Sequence, residues 1–301
     1  MKQGTKIKLA VVGYGNIGRD AAQAIISAHD MELSGIIRSS STAGIPELPG
    51  VPVVTAVEEL GKVDAAILCV PSRRVEDYAL SYLEKGISTV DSYDIHSDIF
   101  ELKCVLDKAA KQGNACAVLG AGWDPGSNSV IRAVFEACAP KGITYTNFGP
   151  GMSMGHTVAV KAIKGVEDAM SLTVPVGSGV HRRMVYIQLS PGVDFEEVAA
   201  AIKADPYFVN NETSVIKVDN VNDYLDVGHG VLLERRGASG TTSNQQFQFS
   251  MRINNPALTS QVMVSCARAA LRQAPGAYTM VEIPVIDLLP GEKEGIIRRL
   301  V

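Results

Sequence analysis

The sequence predicts an α/β protein: a doubly wound, Rossmann-type dinucleotide domain joined to a second, mixed α+β domain. Three observations predict it. Apolar strand-like runs and helical segments alternate over residues 1–120. The first run, Ile7-Lys8-Leu9-Ala10-Val11-Val12, leads directly into Gly13-Tyr14-Gly15-Asn16-Ile17-Gly18, a G-x-G-x-x-G turn between strand and helix. Beyond Gly142 the pattern changes to polar–apolar alternation, clearest at Phe247, Phe249, Met251 and Ile253, which marks strands with one face buried.

The elements follow in order. Arg19 to Ala28 continues the glycine turn as a helix, and Met31 to Ile37 forms the second strand. A Ser-, Pro- and Gly-rich loop (Ser39 to Pro52) precedes Val53-Val54 and a short helix near Val57 to Leu60. Asp64 to Pro71 is almost continuously apolar, as a strand buried on both faces must be. Ser72 is placed to cap a helix from Arg73 to Lys85. Ile87 to Tyr93 is the next strand, Ser97 to Gln112 the next helix, and Ala115 to Gly120 the last strand of the series.

In the second domain, strands are expected at Ser171 to Val176, Arg182 to Leu189, Thr213 to Val218, Gly230 to Arg235 and Gln245 to Ile253. Helices are expected at Phe195 to Lys203 and Leu258 to Arg272. This places the dinucleotide domain at residues 1–122 and the substrate and dimerisation domain at 123–257, with 258–301 packing back on the first.

Composition narrows the function. The 301 residues suffice for two domains, and 46 % hydrophobic with 20 % charged residues is ordinary for a globular chain. A net charge of −4 argues against a nucleic-acid partner. No apolar run reaches the roughly 20 residues that span a bilayer. The short polar start, Met1 to Lys6, leaves no room for a signal peptide, so a cytoplasmic protein is expected. Cys69, Cys104, Cys116, Cys138 and Cys266 are scattered, without a C-x-x-C pair, and read as reduced core thiols. Neither their spacing nor that of the histidines suggests a metal site.

The glycine turn is the seat of a dinucleotide pyrophosphate, with Gly13 for the turn, Gly15 for close approach and Gly18 for helix–strand packing. The cofactor type depends on the end of the second strand. An Asp or Glu there would hold a ribose 2′-hydroxyl, but this chain has Arg38-Ser39-Ser40, a guanidinium and two hydroxyls suited to a 2′-phosphate. NADP(H) is therefore the expected cofactor. Ligands of such sheets lie at the carboxyl ends of the strands, so Cys69, Val70, Pro71, Ser72, Ser92 and Tyr93 join Tyr14, Asn16 and Ile17 as cofactor contacts.

Three compact segments carry candidate chemistry: Ser92-Tyr93-Asp94-Ile95-His96, Gly122-Trp123-Asp124-Pro125-Gly126, and Phe148-Gly149-Pro150-Gly151-Met152-Ser153-Met154-Gly155-His156. The first two end consecutive strands, each with an aspartate and an aromatic. An aspartate pair can hold an ammonium group, and an aromatic can cover the carbon that gives up hydride. The alternatives are that Asp94 caps a helix, that Asp124 before Pro125 starts a turn, and that Met152 and Met154 are packing residues. His156 either caps a helix or faces substrate.

These segments, with Gly228-His229-Gly230 and Asn255-Pro256, resemble the meso-diaminopimelate dehydrogenases along essentially the whole chain. The resemblance implies an NADP-dependent oxidative deamination of the D-centre of meso-2,6-diaminopimelate to L-2-amino-6-oxopimelate and ammonia, by a cytoplasmic homodimer. It implies that Asp94 and Asp124 bind the reacting amino group with Trp123 beside it. Phe148, Met154, Gly155, Thr173, Arg183, His229 and Asn255 match the residues that hold the distant L-centre. The chemistry agrees: a carboxylate suits a guanidinium fork with neutral donors, although Arg182-Arg183 could also be an exposed pair. Val176-Gly177-Ser178-Gly179-Val180 is a very short connection, resembling the short form of the family and implying a pocket open to other D-amino acids. The competing readings are a dihydrodipicolinate-reductase-like enzyme, a broader D-amino-acid dehydrogenase, and a non-catalytic NADPH sensor. Paired acids at two strand ends argue against the sensor.

Overall fold

The computed structural model describes residues 6–39, 41–224 and 229–301, with Met154 and Gly155 by backbone alone. Ser40 and Gly228 lie outside the described residues. The elements are β1 (Ile7–Val12), α1 (Asn16–Ser27), β2 (Met31–Ile37), β3 (Val53–Val54), β4 (Ala65–Leu68), α2 (Ser72–Leu83), β5 (Ser88–Asp91), α3 (Ile99–Gln112), β6 (Cys116–Leu119) and α4 (Ser127–Cys138). There follow β7 (Lys141–Phe148), β8 (Gly151–Met152), α5 (Met154–Lys161), β9 (Val166–Gly177), β10 (Val180–Leu189), α6 (Phe195–Ala204), β11 (Glu212–Lys217), β12 (His229–Ser239), β13 (Thr242–Ile253), α7 (Asn255–Ala270), β14 (Gly276–Thr279) and α8 (Lys293–Leu300). Contacts divide the chain into two compact units, residues 1–131 with 256–301, and residues 132–255.

The first unit is a parallel sheet in the order β14-β6-β5-β4-β1-β2-β3. The order reverses between β1 and β4, where a doubly wound sheet opens its ligand crevice. Alternation along β4 explains the two helical layers. Ala65 and Ile67 face a core with Ala21, Ala22 and Ile25 of α1 and Met263, Val264 and Ala267 of α7. Ala66 and Leu68 face the opposite core, with Val75, Ala79 and Leu83 of α2 and Leu102, Leu106 and Ala110 of α3. Arg268 of α7 forks onto Asp30 at 2.6 and 2.9 Å and donates to the Leu288 carbonyl at 2.9 Å, which anchors that helix to the β1–β2 end of the unit.

The structure corrects several local expectations. The series does not end at Ala115 to Gly120: β14 extends the sheet through Gly276–Cys116 and Thr279–Leu119 pairing. Its apolar run is short and isolated at the end of the chain, so no strand–helix alternation announces it. The first helix begins at Asn16 rather than Arg19, so Gly18 is already helical. Ser72 does not cap α2; it is the first helical residue after Pro71, and its hydroxyl is used elsewhere. Helix α4, strands β7 and β8 and helix α5 were not foreseen.

The second unit contains two sheets. The first runs β11-β10-β9-β8, with β10–β11 parallel and the other pairs antiparallel. One of its faces packs Ala169, Val185 and Ile187 against Val160 of α5, Val198 and Ile202 of α6, and Phe208. The second sheet runs β13-β12-β7, antiparallel throughout. Phe247 of this sheet packs against Phe135 of α4 with ring centroids 5.6 Å apart. The buried Arg235 donates to the Ala139 carbonyl at 2.8 and 2.6 Å and to Thr144 Oγ1 at 2.7 Å, answering the end of α4. Between β9 and β10 the chain turns through Ser178 (φ 52°) and Gly179 (φ 79°), a two-residue hairpin of the mirror-image type that matches strand twist.

No helix among the described residues is long and apolar enough to cross a membrane. No group of three or more His, Cys, Asp and Glu side chains among them is placed to hold a metal ion. All five cysteines are free thiols, and burial pushes Cys69, Cys116 and Cys266 up to about 12.

Candidate active site

In the first unit the glycine turn has the geometry of a phosphate seat. Gly13 has φ +91°, and a Cβ there would lie 2.4 Å from the Cys69 carbonyl oxygen. A Cβ on Gly18 would lie 2.1 Å from the Gly13 carbonyl oxygen, so both positions require glycine. Gly15 differs: a Cβ there would meet nothing within 4 Å. Gly15 is also the N-cap of α1 and supplies no side-chain cap, leaving the helix start open to an anion.

This turn opens into a cleft of about 570 Å³. Its wall includes Tyr14, Gly15, Ser39, Cys69, Val70 and Pro71 from the expected set. It also includes Thr55, Arg74, Tyr78 and Lys85, which sequence reasoning missed. The Arg74 guanidinium stacks over the Tyr78 ring at 5.3 Å, and Lys85 pairs with Glu58 at 2.6 Å. The signal for Arg74 was its place in the first turn of the helix after Cys69-Val70-Pro71. Arg38 is half-buried and donates its backbone N–H to the Val54 carbonyl, beside Ser39 but not in the wall of the cleft. A glycine cradle, an uncapped helix start and cations at the rim fit a dinucleotide. Neither Arg38 nor Ser39 is the acid that a free 2′-hydroxyl would require.

Next to the cleft, two loops bring the paired acids onto the carboxyl ends of β5 and β6. Ser72 Oγ donates to Asp94 Oδ1 at 2.6 Å, and Asp94 is otherwise exposed. The N-cap position of the helix after this loop is Asp98, whose side chain makes no cap bond, so Asp94 is not the cap. Trp123 and Asp124 are half-buried on a tight loop closed by Gly122 N–H to the Pro125 carbonyl, at 3.0 Å, and Ser127 N–H to the Gly122 carbonyl, at 3.1 Å. The Asp124–Pro125 bond is cis. Ser92 and Tyr93 precede Asp94 on the first loop, and Tyr93 is buried.

In the second unit a separate polar cluster surrounds Arg183. This residue sits opposite Thr173 in the β9–β10 ladder and donates to Thr173 Oγ1. It is half-buried, its Nε has no hydrogen-bond partner among the described residues, and no carboxylate among them pairs with it. Burial pulls its pKa down. The neighbouring His181 accepts the Phe148 N–H through Nε2 at 2.8 Å. His156 shares a 2.7 Å hydrogen bond with Ser153 and is packed edge-on by Tyr207 and Phe208; burial lowers its pKa to about 4. It therefore neither caps a helix nor carries charge at neutral pH. His229 opens β12, half-buried, and burial lowers its pKa as well. Its neighbour Gly230 approaches the backbone of Gly149 closely, accepting the Gly149 N–H at 2.7 Å. Asn255 is the first residue of α7. Met154 and Gly155 open α5, and the Met154 side chain lies outside the described part of the structure.

Comparison with known proteins agrees with both units. Residues 7–119 match the oxidoreductase family with an NAD-binding Rossmann fold, and residues 122–180 match the diaminopimelic acid dehydrogenase C-terminal domain. The meso-diaminopimelate D-dehydrogenase of Bacteroides fragilis is 59 % identical over 297 residues, covering 98 % of this chain and 99 % of that one. Among solved structures, the C. glutamicum DAP dehydrogenase in complex with DAP superposes with a TM-score of 0.86 at 29 % identity, covering 99 % of this chain and 100 % of that one. An engineered D-amino acid dehydrogenase bound to NADP+ superposes with a TM-score of 0.79 at 28 % identity over the same shares. The chain is an oxidoreductase and belongs to the meso-diaminopimelate D-dehydrogenase family.

Proposed function

We propose that this protein catalyses the NADP+-dependent oxidative deamination of the D-centre of meso-2,6-diaminopimelate, giving L-2-amino-6-oxopimelate, ammonia and NADPH, and the reverse amination. The observation that carries the reading is Arg183: a half-buried guanidinium bonded to a threonine hydroxyl, with no protein carboxylate paired to it among the described residues. Such a fork is made for an incoming carboxylate. A monoamino acid would suit an apolar distal pocket better.

The glycine turn and the α1 start would hold the NADP pyrophosphate, and Ser39 and Arg38 its 2′-phosphate. A bound nicotinamide would supply the acceptor for the hydride of the substrate α-carbon. Asp94 and Asp124 hold the reacting ammonium group, one of them takes its proton directly or through water, and water then hydrolyses the imine left on the substrate to the oxo acid and ammonia. Ser72 fixes Asp94 for this by the hydrogen bond at 2.6 Å. Trp123 covers the reacting carbon. Arg183, Thr173, His229, Phe148 and Asn255 hold the distant L-centre, whose carboxylate lies on the guanidinium. Met154 and Gly155 are proposed for the same role from the resemblance alone. A cytoplasmic homodimer is proposed on the same ground, and sedimentation velocity tests the assembly.

The test follows reduced nicotinamide absorbance with meso-, LL- and DD-diaminopimelate, using NADP+ and NAD+ in parallel. Turnover of the meso isomer with NADP+ is the expected result. Tight NADPH binding without turnover of any isomer would overturn the substrate. The two-residue turn at Ser178 and Gly179 supports a second activity, on other D-amino acids, because no longer connection covers the strands that carry Arg183 and Thr173. D-alanine oxidation and pyruvate amination test it; activity confined to the diamino acid would sink it.

A further inference from the structure

Asp91 has no part in the chemistry above, yet it is the most completely buried carboxyl group near it. It ends β5 with no exposed surface. Its Oδ1 accepts two backbone N–H groups, from Tyr93 at 2.9 Å and from Gly120 at 3.2 Å. Its own carbonyl accepts the Ala121 N–H at 2.7 Å. Tyr93 immediately precedes Asp94, and Gly120 and Ala121 lead into the loop of Trp123 and Asp124. One side-chain oxygen thus ties together the roots of the two loops that carry the paired acids.

We propose that Asp91 is a positioning residue that sets the spacing of Asp94 and Asp124, an inference that rests on their role at the reacting amino group. Burying a carboxyl group is costly unless its bonds offset the lost hydration. Here Oδ2 has no hydrogen-bond partner among the described residues, so the compensation comes from the two amides on Oδ1. Burial holds the carboxyl up at about 6. A proton on Oδ2 leaves Oδ1 free to accept, so the clasp holds in either protonation state and needs an acceptor rather than a charge. The surroundings leave the loops no slack. Gly120 has φ +58°, and a Cβ there would stand 3.2 Å from the Pro125 ring and 3.4 Å from the Tyr93 carbonyl. Without the acceptor, two buried amide donors would have to find new partners, and the loops would move to supply them.

Asp91→Ala and Asp91→Asn separate the acceptor from the charge. We expect Asp91→Ala to lower kcat on the order of 10²-fold, the scale of a misplacement of about 1 Å, and to change NADPH affinity much less, because only Ser92 and Tyr93 of the expected cofactor contacts lie on the loosened loops. Asp91→Asn should return kcat to within about threefold of the parent, because its amide oxygen can accept both N–H groups. Hydrogen exchange by mass spectrometry provides a readout independent of turnover: peptides spanning 92–98 and 120–126 should exchange faster in Asp91→Ala and at parental rates in Asp91→Asn. Parental kcat in Asp91→Ala, or Asp91→Asn as impaired as Asp91→Ala, would overturn the proposal. Should Asp91→Ala not fold, Asp91→Asn decides alone: lost turnover and lost protection in a variant with the parent melting curve would refute it. If the parent does not oxidise meso-diaminopimelate, the substrate assignment fails, and the exchange comparison still judges the clasp.

Discussion

His181 Nε2 accepts the backbone N–H of Phe148 at 2.8 Å, tying the strand that carries Arg183 to the end of β7. A second bond runs in parallel, from the Gly179 N–H to Asn147 Oδ1 at 2.8 Å, and Asn147 itself donates to Glu234 at 3.0 Å. The β9–β10 hairpin is thereby held to the β7–β12 sheet at its turn and at the start of β10. The bond to Phe148 requires a deprotonated Nε2, because a protonated ring would set two donors against each other.

This requirement has a pH signature. Burial, then the nearby Arg183 charge, holds the His181 pKa below its ordinary value; burial does the same for His229 and takes His156 to about 4. An unfolded histidine titrates near 6.5, so below that value the unfolded chain takes up protons that the native chain refuses. Stability from these residues is complete above the unfolded value and is lost as pH falls through the folded ones. Asp91 has the opposite sign, since its folded value of about 6 lies above 3.8, and it offsets part of the loss. We expect Tm to fall as pH is lowered from about 7 to about 5, and His181→Gln, which retains an acceptor but cannot charge, to flatten that fall. Differential scanning fluorimetry of the two proteins across that range isolates the His181 contribution, because the Asp91 effect is common to both.

The glycine turn separates folding from cofactor binding. Gly13→Ala forces a side chain to within 2.4 Å of the Cys69 carbonyl at φ +91°, so it should lower Tm and abolish NADPH binding together. Gly15→Ala meets nothing within 4 Å in the protein, so Tm should stay at the parent value. Its methyl would take the place where the pyrophosphate approaches the backbone, and NADPH affinity should fall by about tenfold or more, which is about 1.4 kcal/mol. Fluorescence titration with NADPH beside a melting curve distinguishes the two outcomes.

Arg38 tests the preference between nicotinamide cofactors. On the proposed reading its guanidinium meets a 2′-phosphate, and an acid in its position would repel one. Arg38→Asp should raise KM for NADP+ by roughly two orders of magnitude while leaving KM for NAD+ unchanged or lower. Equal loss with both cofactors would show that Arg38 supports the loop rather than the phosphate. Arg74→Ala is the useful companion: this cation lies in the cleft wall where Arg38 does not, and loss of NADP+ affinity there alone would move the phosphate site to α2.

The parallel sheet was legible because its period and punctuation are local. Runs such as Ala65 to Leu68 and the glycine turn identify themselves within a few residues. Strand β14 was not, because four residues after a long helix carry no period and are placed only by pairing with Cys116 to Leu119. The place of the acids at 94 and 124, on the loops beyond two strand ends, was legible because each stands beside an aromatic after an apolar run. The bonds that place them were hidden: Ser72 reads as a helix cap but bonds to Asp94, and Asp91 reads as one more strand residue. His181 was invisible for the same reason, since its partner is a backbone N–H 33 residues away. Side chains that serve distant backbone leave no local pattern.

Arg183 provides the sharpest test of the substrate end. Its guanidinium donates to Thr173 Oγ1, and the two residues stand opposite each other on adjacent strands. A lysine there keeps the charge but loses the planar fork, so Arg183→Lys asks whether geometry or charge binds the carboxylate. Replacing a bidentate ion pair by a point charge should raise KM for meso-diaminopimelate about 10- to 100-fold, a loss of roughly 1.4 to 3 kcal/mol, with kcat changed much less. Arg183→Met should raise KM further and should leave D-alanine oxidation, where it occurs, largely intact, because that substrate has no second carboxylate to hold. Steady-state kinetics on both substrates decide the point. An equal loss on D-alanine would mean that Arg183 supports the fold of the β9–β10 ladder, and the distant carboxylate would then have to be held elsewhere.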